Sequence, residues 1–256
     1  MNLSRLLNTA ALLAAFWAGG GTPVTFAQCA LPNGIIFVEN TLDEGPGSLR
    51  EAIDCANSTP GPNTIRFNIV SLDDQIFMVG STTMEPLPAL TDDETIIDGS
   101  TQAGFGLNGD FTPRIILDGS AVDWDLPVNG LTILCDGFGI YGLEIRNFPY
   151  NGIEIRNGDD GRVGDPQRMN IIYSNGEERD IYPLAPVTGM YEGSGIFMRS
   201  SSTNVTIENN IIGSDETLVP GLGNEWAGIR TQFNSFNNFI GRNTDGRRNM
   251  ILHNPT

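Results

Sequence analysis

The sequence predicts an all-β fold, a parallel β-helix in which successive turns of backbone stack into a solenoid. Two repeated strand patterns, separated by Gly/Asn/Asp turns, carry that expectation. The first occurs as "NGLTILCD" from 129, "NGIEIRNG" from 151, "SGIFMRSS" from 194 and "AGIRTQFN" from 227, each a small residue, Gly, then alternating positions. Alternation at period two marks a strand with one buried face. Aligned, the four strands form columns: Leu131, Ile153, Ile196 and Ile229 in one, Ile133, Ile155, Met198 and Thr231 in the next. Their outward neighbours are Thr132, Glu154, Phe197 and Arg230.

The second pattern reads apolar, any, apolar, any, Asn. It runs through Leu143, Ile145 and Asn147, then Ile171, Tyr173 and Asn175, then Val205, Ile207 and Asn209, and ends at Met250, Leu252 and His253-Asn254. The two patterns alternate along the chain, so the backbone is expected to pass through the same two sheets on every turn. Gly130, Gly152, Gly195 and Gly228 are 22, 43 and 33 residues apart; the shortest gap reads as a bare coil and the others as coils with insertions. Upstream, "TIIDGS" at 95–100 recurs as "IILDGS" at 115–120, which reads as an earlier coil that would stack Asp98 with Asp118. Parallel strands need crossovers, and turns supply them here in place of helices. At the inter-strand spacing of about 4.8 Å each inward side chain rests on its own equivalent. Asn at the turns suits this geometry, because it tolerates left-handed backbone and its amide can bond from coil to coil.

Residues 1–27 have the three parts of an export signal: Arg5, the apolar run "LLNTAALLAAFWAGGG" and a small-residue boundary at Ala27 before Gln28. The run is short for a membrane span and Gly19 to Gly21 interrupt it. The expected product is a secreted or cell-surface chain without a transmembrane span. In that oxidising setting Cys29 and Cys55 are expected to form a disulfide, which leaves Cys135, on the same period as Leu131 and Ile133, as a buried thiol.

The stretch "VENTLDEGPGSLREAIDCAN", 38–57, is the one strong helix signal after the leader. Ser48 and Glu51 form a capping box, Leu49, Ile53 and Ala56 share a face, and Pro60-Gly61 stop the helix before "NTIRFNIV". An uncovered first strand would invite edge-to-edge pairing, so residues 28–62 are expected to fold as an N-terminal cap. Residues 63–256 then form the coils, with a long insertion loop at about 157–192.

With these pieces in place, "ENTLDEGPGSLREAIDCAN", "TIIDGSTQAG", "IILDGSA", "NNIIGSDETLVPGLGNEWAGI" and "NNFIGRNTDGRRNMILHN", the chain resembles exported bacterial right-handed parallel β-helix repeat proteins with an N-terminal SLREAI segment, the CSLREA type. Many members have a cysteine before that serine, where this chain has Gly47. The resemblance implies a right-handed coil and a secreted or surface location, and it brings no defined activity.

The formal net charge of −17, with 31 acidic residues against 14 basic ones that are all Arg, disfavours nucleic acid and anionic membrane as partners. "GFGIYG" at 137–142 spells a dinucleotide fingerprint, yet "LEIRNF" follows it as another strand instead of a helix, so turn glycines are the reading. The only His is His253, which is poor support for a hydrolase. No cofactor is expected under the leading reading, a structural and binding protein that is adhesin-like or glycan-binding. Its candidate binding residues are the aromatics Phe148, Tyr150, Tyr191, Trp226 and Phe233, expected near loops or on outward positions. The alternative is a calcium-dependent polysaccharide lyase acting on acidic polysaccharide, with Asp159, Asp160 and Asp165 as Ca²⁺ ligands and Arg162 as base. The chain stops after "NMILHNPT" with no polar closing coil, so missing downstream coils, a stacking partner or a blunt stop at Pro255 is expected at that end.

Overall fold

The computed structural model describes residue 29 and residues 33–109, 111–123, 126–176, 193–244 and 246–254. Their regular structure is mostly β, in parallel sheets. The first sheet orders β1 (Ile35–Val38), β2 (Thr64–Phe67), β4 (Ile96–Asp98), β7 (Gly139–Tyr141), β10 (Arg162–Val163), β13 (Thr206–Ile207) and β16 (Phe239–Ile240). The second orders β3 (Gln75–Met78), β5 (Ile115–Asp118), β8 (Leu143–Arg146), β11 (Asn170–Tyr173), β14 (Asn210–Ile212) and β17 (Met250–Ile251). The third holds β6 (Leu131–Ile133), β9 (Ile153–Arg156), β12 (Ser194–Arg199) and β15 (Ala227–Thr231). From β4 onward the chain visits the first, second and third sheets in that order on each pass.

Inward positions pile up in register. Ile36, Ile65, Ile97, Ile140, Val163, Ile207 and Ile240 face one another through the first sheet. Phe77, Leu117, Ile145, Ile172, Ile212 and Ile251 do so through the second. Both columns are buried until their last rung, where Ile240 and Ile251 are each 47% exposed. The third sheet pairs Leu131, Ile153, Ile196 and Ile229, and beside them Ile133, Ile155, Met198 and Thr231, which is the register that the first sequence pattern predicts.

The repeated glycine of that pattern has a steric cause. A Cβ on Gly152 would lie 2.6 Å from Ile172 Cγ2 and 2.8 Å from the Gly195 carbonyl oxygen; one on Gly195 would lie 2.7 Å from both Ile212 Cγ2 and the Gly228 carbonyl oxygen. The third sheet therefore starts where the second-sheet isoleucines press against it, and only a residue without a side chain fits.

Asparagine ladders run along the corners. Asn175 donates to Asn224 Oδ1 at 2.9 Å, and Asn224 donates to Asn254 Oδ1 at 2.9 Å. Asn170, Asn210 and Asn249 repeat the arrangement at 2.9 and 3.0 Å, and Asn151 donates to Asn129 at 3.1 Å. Each oxygen also accepts a backbone N–H of the neighbouring rung, as Asn224 does from Asn175. Polar groups that would be orphaned inside the corner are thereby satisfied. Asn147 and Asn209, also of the second sequence pattern, sit at φ 59° and 56°, so they turn the chain instead of joining these ladders.

The helix α1 (Leu49–Ser58) follows β1. Ser48 Oγ accepts the Glu51 N–H at 3.2 Å while Glu51 accepts the Gly47 N–H at 2.7 Å, a capping box whose return bond reaches one residue further back than usual. Leu49, Ala52, Ile53 and Ala56 join the main buried cluster, and Cys55 is bonded to Cys29. Asn57 ties the helix to the Ala89 carbonyl and the Thr91 N–H at 2.7 and 2.8 Å. Asp43 clasps the next segment: its carboxylate accepts the N–H groups of Gly80, Thr82 and Thr83 at 2.9, 3.1 and 2.9 Å and pairs with Arg50 at 3.3 Å. Cys135 is buried; burial and then the charges of Asp93, Asp136 and Asp92 push its thiol up to about 12, so it stays protonated and unreactive at neutral pH. No helix among the described residues is long and apolar enough to cross a membrane.

Four expectations are corrected. Three sheets replace two, because Val205, Ile207 and Asn209 belong with β13 in the first sheet and its continuation. In the second sheet Ile172, not Ile171 or Tyr173, pairs with Ile145, so the predicted register is one residue off. The two "DGS" strands lie in different sheets, so Asp98 faces Arg66 and Tyr141 while Asp118 faces Met78 and Arg146. The segment expected as one loop at 157–192 contains β10 and β11; its part at 177–192 lies outside the described residues.

Gly195→Ala is expected to lower unfolding free energy by about 1–3 kcal/mol through overpacking, read by denaturant melts. Asp43 gives a pH signature. Burial alone would raise its carboxyl, but the N–H groups of Thr83, Thr82 and Gly80 and the Thr83 hydroxyl more than offset this and hold it well below the usual carboxylate range. A depressed folded value means stability that is complete above the unfolded value near about 4 and lost as pH falls below it. The stability gap between the native chain and Asp43→Asn should be widest at neutral pH and close on acidification; a gap independent of pH would refute the clasp.

Candidate functional site

The outer face of the third sheet collects charge and aromatic surface on a rigid floor. Strand alternation points Thr132, Glu154, Phe197 and Arg230 outward, and the register sets them in one row. Glu154 is buried and held by Arg156 Nη2 at 2.8 Å, Arg199 Nε at 2.5 Å and Asn129 Nδ2 at 3.0 Å. Phe197 is buried beneath two guanidiniums, with Arg230 4.8 Å and Arg199 5.5 Å from its ring centroid. Arg230 also lies 5.8 Å from the Trp226 ring, and Trp226 is 43% exposed. Such stacks orient guanidinium donors beside an aromatic face.

Trp226 enters β15 with its backbone N–H on the Gly193 carbonyl at 3.0 Å. Extending the third-sheet register places Tyr150, Gly193 and Trp226 on one line, so two of the candidate aromatics stand two rungs apart at the same edge. Tyr150 is half-buried there. Phe233 is exposed beyond the opposite end of β15, away from that line. Tyr191 lies outside the described residues. Phe148 is corrected: it is fully buried. The left-handed turn at Asn147 swings Phe148 into the corner, where its N–H meets Asn175 Oδ1 at 3.2 Å, so it packs the core and exposes no ring face.

The constellation expected of a lyase is not assembled. Asp159 accepts the Thr203 N–H and hydroxyl, both at 2.7 Å. Asp160 occupies a left-handed turn, its N–H on the Thr203 carbonyl at 3.0 Å. Asp165 accepts Arg168 Nε at 2.7 Å, and Arg168 also pairs with Asp98 at 2.9 Å. Arg162 points instead to the buried Glu208, 3.6 Å away. Among the described residues no three His, Cys, Asp or Glu side chains converge as a metal site. The predicted cluster does not form because its members are engaged elsewhere: Asp159 by Thr203, Asp165 by Arg168 and Arg162 by Glu208.

A second outer cluster was missed. Arg146 bridges Asp118 at 2.8 Å and Glu144 at 2.7 Å, and Tyr173 donates to Glu144 at 2.7 Å. Burial raises the Glu144 carboxyl despite Tyr173 and Arg146. For Asp118 the same burial effect is overcome by the Ser120 N–H, Arg146 and Asn147, which hold it low. Ile171, Tyr173 and Ile211 form a small apolar cluster with Met169 and Leu222 over this part of the sheet, and the closed network reads as structural. A signal for it was present: "EIRN" occurs at 144–147 and again at 154–157, and in both the Glu and Arg two residues apart form an outward ion pair. Compared with known proteins, the chain matches no family model and no curated protein sequence.

Proposed function

We propose that the protein is a secreted or cell-surface structural and binding protein, a right-handed parallel β-helix capped by its N-terminal helix, whose third-sheet outer face binds glycan. The cyclic visiting order of three parallel sheets supports the coil, and the export-signal pattern at 1–27 supports the location. The observation that carries the binding reading is Trp226, an exposed indole beside the Arg230 guanidinium on a floor of in-register strands. An aromatic face stacks on the C–H side of a sugar ring, and guanidinium N–H groups donate to its hydroxyls. The floor is preorganised, because Glu154 and Phe197 are already engaged by Arg156, Arg199 and Arg230. Ordering cost on binding is correspondingly small.

Exported in a bacterial host, the chain should begin at Gln28 by N-terminal sequencing; an uncut leader would count against secretion. On a glycan array the exported chain should retain a defined set of sugars, with Trp226→Ala weakening retention by about tenfold at unchanged melting temperature. Release of unsaturated products from acidic polysaccharide would replace this reading with a lyase.

A further inference from the structure

We infer that the outer face of the first sheet, at its last rungs, is a second binding site, specific for the carboxylate-bearing rings of an acidic polysaccharide and formed by Arg162, Arg242, Arg247 and Phe239. The inference rests on the glycan-binding reading for its ligand class, but it concerns another face and other residues.

Glu208 continues β13, with its N–H on the Val163 carbonyl at 3.1 Å. The same hydrogen-bond ladder brings Gly164 and Gly241 to the neighbouring rungs, their N–H groups on the carbonyls of Ile140 and Ile207 at 2.9 and 2.7 Å. Neither glycine supplies a side chain to flank the carboxylate, and guanidiniums occupy the space. Arg247 Nη1 reaches both Glu208 oxygens at 2.9 and 3.2 Å, Arg162 Nη1 lies at 3.6 Å and Arg242 Nε at 3.9 Å. The Glu208 side chain is fully buried under them.

Among the described residues one carboxylate thus holds three guanidiniums, a local excess of two positive charges on a chain of net charge −17. The other clusters are closer to balance: Glu154 has Arg156 and Arg199, Arg146 has Asp118 and Glu144, and Arg168 has Asp98 and Asp165. Folding needs only one of the three arginines to neutralise Glu208, and Arg247 does so at the shortest distance. The side chains of Arg162 and Arg242 remain 50% and 49% exposed. At physiological ionic strength fields decay over about 8 Å, so at contact the sign of this patch outweighs the acidic remainder of the surface.

The patch also has an apolar platform. Arg162, Thr206 and Phe239 face one another across β10, β13 and β16; Phe239 is 52% exposed and the Arg242 guanidinium lies 5.7 Å from its ring. A ring to stack on beside guanidiniums in excess matches a sugar with an apolar C–H face and a carboxylate at its edge. A neutral sugar would leave the excess charge unanswered.

The test titrates the full exported chain with a polygalacturonate oligomer and with a neutral galactan oligomer of equal length, by calorimetry at fixed ionic strength. The acidic oligomer should bind and the neutral one should not bind here. Arg162→Gln and Arg242→Gln should each weaken acidic binding by about tenfold, and Phe239→Leu by several-fold. Arg247 is left in place so that Glu208 keeps its nearest partner, and unchanged melting temperatures separate lost binding from lost folding. Equal affinity for both oligomers, or unchanged affinity in both arginine variants, overturns the inference. Acidic binding lost in Trp226→Ala but kept in Arg242→Gln also overturns it, while leaving the third-sheet reading intact.

Discussion

Parallel stacking in register is the constraint on which the rest depends. When each strand sits directly above its equivalent, an inward side chain packs chiefly against the same position one rung away, so a column must be compatible with itself. Isoleucine meets that demand in the first and second sheets, from Ile36 to Ile207 with Val163 the one substitute and from Ile145 to Ile212. A β-branched side chain has few rotamers and repeats at the strand spacing without clash. The same rule yields the glycine column at 152, 195 and 228, where a side chain would strike second-sheet isoleucines on successive rungs. It also yields the asparagine ladders, since an amide that both donates and accepts can bond to a copy of itself.

Outside the buried columns, register has a second consequence. Like charges on one row would repel at every rung, and the chain answers with arginine. Its planar fork reaches a carboxylate two residues away on its own strand, as Arg146 does to Glu144 and Arg156 to Glu154, or one on the next rung, as Arg199 does to Glu154. Buried or half-buried outer carboxylates become anchors that fix guanidiniums against aromatic rings. Phe197 beneath Arg199 and Arg230 shows the result in the third sheet, and Tyr141 beneath Arg168, 3.8 Å from the ring centroid, shows it in the first. The absence of lysine from the chain fits this use, because a point-charged ammonium cannot make the paired, stacked contacts that these rows require.

Legibility differed between sheets for a physical reason. The third sheet buries one face against apolar columns and presents charge or aromatic groups on the other, so period-two alternation was visible and its register readable. In the second sheet both faces are covered at β11 and β14: Ile172 and Ile212 point in, while Ile171 and Ile211 point out beneath Leu222 and Met169. Two adjacent isoleucines give no alternation, and the pattern slipped by one. The two-residue strands of the first sheet, such as Arg162–Val163, are too short to show a period at all, which hid that sheet and turned Arg162 into an apparent loop residue. Phe148 was misread for a related reason: its neighbours mark a turn, and whether a turn residue faces in or out depends on the left-handed backbone at Asn147.

The sequence by itself determined the local chemistry: strands where apolar residues alternate, turns at Gly and Asn, a capped helix before the stack, and an acidic excess whose only basic partners are arginines. Those features depend on neighbours within a few residues, so the chain order displays them. Only the tertiary structure decided which strand lies beside which, and with it the partners of the outer charges among the described residues. Arg162 and Glu208 are 46 residues apart and Arg247 lies 39 beyond Glu208, separations set by insertions of unequal length. No local pattern encodes such distances; the stacking of strands does, because it brings residues far apart in the chain to within one strand spacing.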